Sequence, residues 1–260
     1  MVKSRELSKK ATLRGIAFLG LFKALLNQDG TVSKCHLIVL HCLRPATRSL
    51  SSPMTDWDER YRTGDTPWEK GKPAPPLLEL LERLPLENWG VGPVLVPGCG
   101  TGHDVRALAE TGLPAVGVDI STMAVERARA VPAVGGERYE LADFLDPAWR
   151  VGRAFSAVWE HTCFCAIDPA LRPAYAEAVS DLLGEGGLLA GVFFLTPHDP
   201  GEESAGPPFA TSVAELEERF SPWFERIDGW VPERAYPGRE GREWIGLFRK
   251  VSQASVAGQA

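Results

Sequence analysis

Three small residues at 98, 100 and 102, a carboxylate at 119 and an imidazole at 161 are the groups in this chain whose types and spacing suggest chemistry. In Val94-Leu95-Val96-Pro97-Gly98-Cys99-Gly100-Thr101-Gly102-His103-Asp104 a β-branched apolar run breaks into glycines and then into a helical pattern. Side chains absent at Gly98, Gly100 and Gly102 let the backbone turn sharply and bring its N–H groups against a ligand. Ala115 to Ile120 reads as a second buried strand, with Asp119 at its end. An acid about 20 residues past a glycine loop is placed to accept hydrogen bonds from ribose hydroxyls.

The spacing separates the ligands such a loop can hold. A dinucleotide site wants G-x-G-x-x-G with a pyrophosphate at the helix N-terminus. Here the third glycine falls one residue early and Asp104 stands in the first helical turn, which opposes a pyrophosphate but tolerates an amino group. S-adenosylmethionine carries a ribose, an amino acid end and no phosphate, so it fits best. A dinucleotide and a loop that binds nothing are the rival readings.

Elements that position these groups follow from the apolar periodicity. Trp57 and Tyr61 share one face of a short helix, and Trp68 follows a Gly/Pro turn. This polar-interrupted aromatic segment is expected to form a lid over the cofactor mouth, where ring faces attract a sulfonium. Pro75 to Leu84 predicts an amphipathic helix with Leu77, Leu78, Leu81 and Leu84 on the core stripe. Further expected elements are a helix from Val105 to Thr111, a helix from Thr122 to Ala130 capped by Ser121, and strands Arg138–Leu141, Ala154–Val158 and Leu188–Leu195. Arg172 to Leu183 predicts a helix, and Val213 to Phe220 another, with Ser212 and Glu215 as a capping box. Trp223–Trp230 and Trp244–Val251 close the chain as a hairpin. Alternating strands and helices predict a Rossmann-like doubly wound α/β sheet.

Asp143 and Phe144 end the third strand, where a carboxylate can take the adenine amine and a ring can cover one face. His161 and Phe164 lie past the fourth strand, at the carboxyl edge where open α/β sheets bind ligands. Thr196 to Thr211, rich in Pro and Gly, is a candidate acceptor lid carrying Pro208 and Phe209.

The 260 residues suffice for one sizeable domain, and 44% apolar with 24% charged residues is an ordinary globular composition. A net charge of -6 argues against nucleic acid or an anionic membrane as partner. Residues 1–53 hold nine Lys and Arg against Glu6 and Asp29 and so differ sharply from the remainder of the chain. They are expected to be a poorly structured basic extension, with Met54 as a candidate true start, a catalytic domain over 54–251 and a frayed tail over 252–260. Five cysteines, Cys35, Cys42, Cys99, Cys163 and Cys165, suit reduced thiols in the cytoplasm. Cys163 and Cys165 lack a second Cys/His pair, so no metal site is expected.

From Trp57 to about Val251 the chain resembles the thiopurine S-methyltransferase family of class I S-adenosylmethionine-dependent methyltransferases, nearer the thiol and halide branch. The resemblance is carried by Trp57-x3-Tyr61, Thr66-Pro67-Trp68-Glu69-x-Gly71, Leu95 to Gly102, Gly117 to Ser121, Cys165-Ala166-Ile167-Asp168-Pro169 and Gly206-Pro207-Pro208-Phe209. It implies a seven-stranded sheet with its last strand antiparallel, and cofactor contacts at Trp57, Tyr61, Trp68, Gly98, Asp119, Asp143, Phe144 and His161. Tyr61 stands where relatives have Trp. His161 replaces the Arg of thiopurine enzymes and the Tyr of plant thiol enzymes, which points away from thiopurines.

The expected reaction is in-line methyl transfer to a small soft nucleophile, a thiol, sulfide or halide, by a monomer. A charged nucleophile needs alignment more than a base, and no catalytic dyad is evident in the sequence. His161 is the candidate to receive a thiol proton or orient the acceptor. An oxygen- or nitrogen-directed methyltransferase, a dinucleotide-dependent oxidoreductase and a non-catalytic cofactor-binding module are the alternatives.

Overall fold

Val94, Leu95 and Val96 are β-branched or apolar and fully inside the protein, and they form β1 (Val94–Pro97) at the centre of a sheet. The computed structural model describes residues 55–199, 201–202 and 206–252. Expectations for residues 1–54, including Cys35, Cys42 and the candidate start Met54, and for all but the first residue of the tail lie outside them.

In chain order the elements are α1 (Trp57–Thr63), α2 (Pro75–Arg83), β1, α3 (His103–Glu110), β2 (Ala115–Asp119), α4 (Thr122–Ala130), β3 (Arg138–Leu141), α5 (Pro147–Arg150), β4 (Phe155–His161), α6 (Arg172–Leu182), β5 (Leu183–Phe194), α7 (Val213–Phe220), β6 (Phe224–Trp230) and β7 (Glu243–Lys250). The seven strands lie in the order β3-β2-β1-β4-β5-β7-β6. Pairs from β3 to β5 are parallel, and β7 runs antiparallel between β5 and β6. This is the doubly wound sheet with an antiparallel last strand that the residues and their family resemblance imply. The strand order reverses between β1 and β4, so the loops after β1, β2 and β4 open on one crevice.

Each face of the sheet is covered. Leu95, Val116, Val118, Val158 and Leu189 point to one side and pack on Tyr175, Val179 and Leu182 of α6 and Leu216 and Phe220 of α7. Val94, Val96, Ala115, Ala157 and Trp159 point to the other and meet Leu77 and Leu80 of α2 and Val105 and Leu108 of α3. Burying one such aliphatic side chain is worth about 1.5–3 kcal/mol.

Several expectations shift. The α2 stripe is Leu77, Leu80, Leu81 and Leu84, the i, i+3, i+4, i+7 series, whereas Leu78 is 41% exposed because it stands one helical step away. β4 continues three residues past Val158, since Trp159, Glu160 and His161 pair with Ala190, Gly191 and Val192. β5 starts early, at Leu183, which pairs with Phe155 ahead of a bulge. Ser212 caps α7 by accepting from Glu215 N, but the Glu215 carboxylate is drawn to Arg172 instead of back to the cap, so the box is half built. Among the described residues no helix is long and apolar enough to cross a membrane.

Candidate active site

The glycine loop leaves β1 with Gly98 at φ 59° and Gly100 at φ 54°, left-handed values that disfavour a side chain. A Cβ at Gly98 would come 3.0 Å from the Cys163 side chain, and one at Gly100 would come 3.0 Å from the Tyr61 hydroxyl. The loop is held open by Asp119 at the end of β2. One carboxylate oxygen accepts from Gly100 N at 2.9 Å and the other from Ser121 N at 2.8 Å. Burial pushes the Asp119 carboxyl above its ordinary range, and those backbone N–H groups hold it back. Each oxygen retains a lone pair for a further hydroxyl donor.

The aromatic segment is fastened over this loop. Asp58 of α1 accepts from Ser121 Oγ at 2.6 Å and Met123 N at 3.1 Å, which fixes α1 on the start of α4. Trp68 Nε1 donates to the Tyr61 hydroxyl at 3.1 Å, and Trp57 meets Trp68 edge-on with ring centres 5.3 Å apart. Glu69, whose role the sequence does not reveal, accepts from Thr101 Oγ1 and lies 3.0 Å from His103 Nε2. Arg60 covers one face of Trp68 at 4.4 Å, so that face already serves a cation.

Opposite the loop stands the end of β4. His161 Nδ1 lies 2.9 Å from Asp104 Oδ2, and the same oxygen accepts from Trp159 Nε1 at 2.8 Å. Asp104 Oδ1 accepts from Ala74 N at 2.7 Å. Burial alone would raise the Asp104 carboxyl, but the adjacent His161 and these hydrogen bonds outweigh it and hold the group below the usual carboxylate range. An ionised carboxylate only accepts, so His161 Nδ1 carries the hydrogen. His161 Nε2 is buried and makes no hydrogen bond. Tyr236 lies nearly parallel to the imidazole at 6.1 Å, and its own hydroxyl donates to Lys72 O at 2.7 Å. A small cleft of about 60 Å³ is walled by Trp68, Gly98, Gly100, His161 and Tyr236. The larger depression of about 440 Å³ between Arg129 and Tyr139 lies at the outer β3 edge and contains none of these groups.

A model described as thiopurine S-methyltransferase matches residues 53–229. The chain belongs to this family. Among its relatives, "Probable thiol methyltransferase 2" of Arabidopsis thaliana is 38% identical over 201 residues, covering 75% of this chain and 85% of that protein. "Thiocyanate methyltransferase 1" of Brassica oleracea is 32% identical over 204 residues, with the same shares covered. A solved structure described as converting a disulfide bond into a thioacetal group during echinomycin biosynthesis superposes with a TM-score of 0.61 at 23% identity, covering 77% of this chain and 94% of the other, and shares the fold. As a thiopurine S-methyltransferase family member, the protein is an S-adenosylmethionine-dependent methyltransferase.

Within this family fold, two of the expected site residues prove to be core. Phe164 is 1% exposed and edge-on to Tyr175 and Phe193. The cause is the turn at Thr162, which takes φ 63° and lets Glu160 capture Phe164 N at 2.8 Å. The Phe144 ring likewise packs edge-on against Tyr175 in the core, and Asp143 beside it is exposed and accepts from Leu145 N. Pro208 and Phe209 are half-buried beside the β4 turn, where Phe209 N donates to Cys165 O at 2.7 Å. Cys99, Cys163 and Cys165 are free thiols, and burial raises all three, Cys165 to about 12, so they are held as inert thiols.

The groups that sequence reasoning misses are the Asp104–His161 dyad and Tyr236. Asp104 is visible there only as an acid in a helical first turn, and 57 positions separate it from His161.

Glu160 faces away from the cleft, fully buried, with Tyr175 donating to it. Burial pushes its carboxyl up to about 7 against hydrogen bonds that lower it. A raised carboxyl favours the protonated fold, so its stabilisation is complete below pH 4.5 and is lost as pH rises through about 7. Glu160→Gln should therefore remove a pH-dependent loss on the order of 2–3 kcal/mol between pH 5 and 8, read from urea denaturation at both ends.

Proposed function

We propose that this methyltransferase binds S-adenosylmethionine between the Gly98–Gly102 loop and the aromatic lid, and transfers its methyl group to a small thiol, sulfide or halide lodged against His161. The observation that carries this reading is the cleft that residues Gly98 to Thr101 line together with Trp68 and His161. Asp119 suits the ribose hydroxyls, Gly98 and Gly100 let the backbone approach the ligand closely, and the exposed Asp143 suits the adenine amine. Trp57, Tyr61 and Trp68 then close over the bound molecule.

S-adenosylmethionine supplies an electrophilic methyl on a sulfonium centre. The chain's own work is to align the acceptor behind that methyl, exclude water and remain neutral where no charge is needed. Tyr236, whose hydroxyl is pushed upward by burial, stays a neutral wall. Pro208 and Phe209 close the acceptor side from the loop before α7. The three free thiols among the described residues fit a reducing cytoplasm.

Calorimetry with S-adenosylhomocysteine tests the cofactor half. A panel of iodide, bisulfide, small aromatic thiols and thiopurines, read by S-adenosylhomocysteine release, tests the acceptor half. Turnover of thiopurines in preference to all the small acceptors would overturn it.

A further inference from the structure

We propose that Glu69 is the latch that holds the aromatic segment shut over the bound cofactor, and so sets how tightly S-adenosylmethionine is held and how fast S-adenosylhomocysteine leaves. This rests on the cofactor half of the reading above and names the residue that makes the closure. Glu69 is a positioning residue: it acts through Trp68, its neighbour in the chain, and through the loop after β1. Its carboxylate accepts three times. Oε2 accepts from Thr101 Oγ1, while Oε1 accepts from Gly71 N at 2.9 Å and lies 3.0 Å from His103 Nε2.

Arg106 fixes the direction of these bonds. Its Nη2 lies 3.3 Å from His103 Nδ1 and can only donate, so Nδ1 accepts and Nε2 carries the hydrogen that goes to Glu69. Arg106 Nη1 donates to the Tyr139 hydroxyl at 3.2 Å, and that hydroxyl donates to Gly102 O at 3.4 Å. The loop is thus held at Thr101 from the aromatic segment and at Gly102 from β3. The Glu69 carboxylate and the buried Arg106 guanidinium stand on either side of the His103 ring and tie the two holds together.

Both ends of the segment are pinned and its middle is not. Upstream, Asp58 fixes α1 on Ser121 and Met123, and Arg127 Nη2 donates to Tyr61 O at 2.7 Å. Downstream, Lys72 O accepts from the Tyr236 hydroxyl and Ala74 N donates to Asp104. Residues 64–71 span the interval, beginning on Gly64 at φ 77° and ending on Gly71 at φ 67°. A Cβ at either glycine would meet nothing within 4 Å, so they supply backbone freedom and not close packing. Arg60 and Tyr61 hold Asp65 and Trp68 at 3.0 and 3.1 Å, but only to α1, the segment's own base. Among the described residues, the hydrogen bonds from 64–71 to the glycine loop and α3 all end on Glu69. Without it the segment keeps its base and loses its hold on the loop.

Titration calorimetry and stopped-flow release of S-adenosylhomocysteine test the latch. Glu69→Ala should weaken binding about 10-fold and speed release by a similar factor, as expected for hydrogen bonds lost from a partly exposed carboxylate. Glu69→Gln should stay within about 3-fold of wild type, because the amide oxygen still accepts from Gly71 and His103 and the amide N–H can donate to the Thr101 hydroxyl. Thr101→Val should reproduce part of the Glu69→Ala loss and add little to it in the double variant. Amide exchange over 64–71 in cofactor-free protein should quicken in Glu69→Ala and not in Glu69→Gln. Alanine and glutamine variants equally impaired would mean that the carboxylate charge meets the ligand itself, which overturns the latch. Release and exchange at wild-type rates in Glu69→Ala overturn it as well. Should Glu69→Ala not fold, Thr101→Val decides, and an unchanged release rate there counts against the latch. Wild-type protein whose exchange over 64–71 depends on Glu69 but which binds no S-adenosylhomocysteine strikes the cofactor reading instead.

Discussion

Replacing Asp119 with alanine is expected to weaken S-adenosylhomocysteine binding about 1,000-fold. That figure comes from two charge-assisted hydrogen bonds to vicinal ribose hydroxyls at about 1.5–3 kcal/mol each. A second loss adds to it: Asp119 also holds Gly100 N at 2.9 Å, so the loop that approaches the ligand loses its brace. Asp119→Asn keeps an acceptor for one backbone N–H and should lose less, on the order of 10- to 100-fold. Titration calorimetry on both variants, with circular dichroism to establish folding, reads the difference. An alanine variant that binds within a few fold of wild type would show that the carboxylate braces the loop and does nothing for the ligand.

The part of this site that is legible in the sequence is the part built from neighbours in sequence. Glycines at 98, 100 and 102 announce a loop whatever surrounds them, and β2 ends at Asp119 because its run of buried residues stops there. Ser121 and Ser212 are readable as caps for the same reason: the group each satisfies is three residues away. Groups joined across the fold are not readable. Glu160 and His161 look like the polar end of a strand, yet one is held in the core by Tyr175 and the other is drawn inward by Asp104. Phe164 looks like a site aromatic because it follows a carboxyl strand end. Only the left-handed turn at Thr162, a backbone state that sequence periodicity does not encode, sends its ring into the core. Glu215 has the spacing of a capping-box member and is captured by a buried guanidinium 43 positions away.

That guanidinium carries the largest expected effect on stability. Arg172 is 2% exposed at the start of α6 and donates to both Glu215 oxygens, at 3.0 and 2.9 Å. Its second nitrogen donates to Phe209 O at 3.3 Å and Ala210 O at 3.0 Å, so one side chain fastens α7 and the end of the Pro207–Phe209 loop to α6. The guanidinium carbon also lies 4.7 Å from the centre of the Phe164 ring. Arg172→Ala leaves two carbonyls without their donor, while Glu215, whose side chain is 25% exposed, keeps Thr211 Oγ1 and nearby Arg219, so the cost falls below that of a fully buried pair, to about 2–3 kcal/mol. A domain of this size should then melt roughly 5–10 °C lower. Removing both charges with Arg172→Met and Glu215→Leu together should recover part of the loss, because no unpaired charge is left, but not all of it, because the two loop carbonyls stay unsatisfied. The kinetic signature separates the roles: KM for the acceptor should rise as the loop loosens, while S-adenosylhomocysteine affinity, set at the glycine loop on the far side of β4, should hold. Equal melting temperatures for wild type and Arg172→Ala would mean that the pair is not the clasp its geometry indicates.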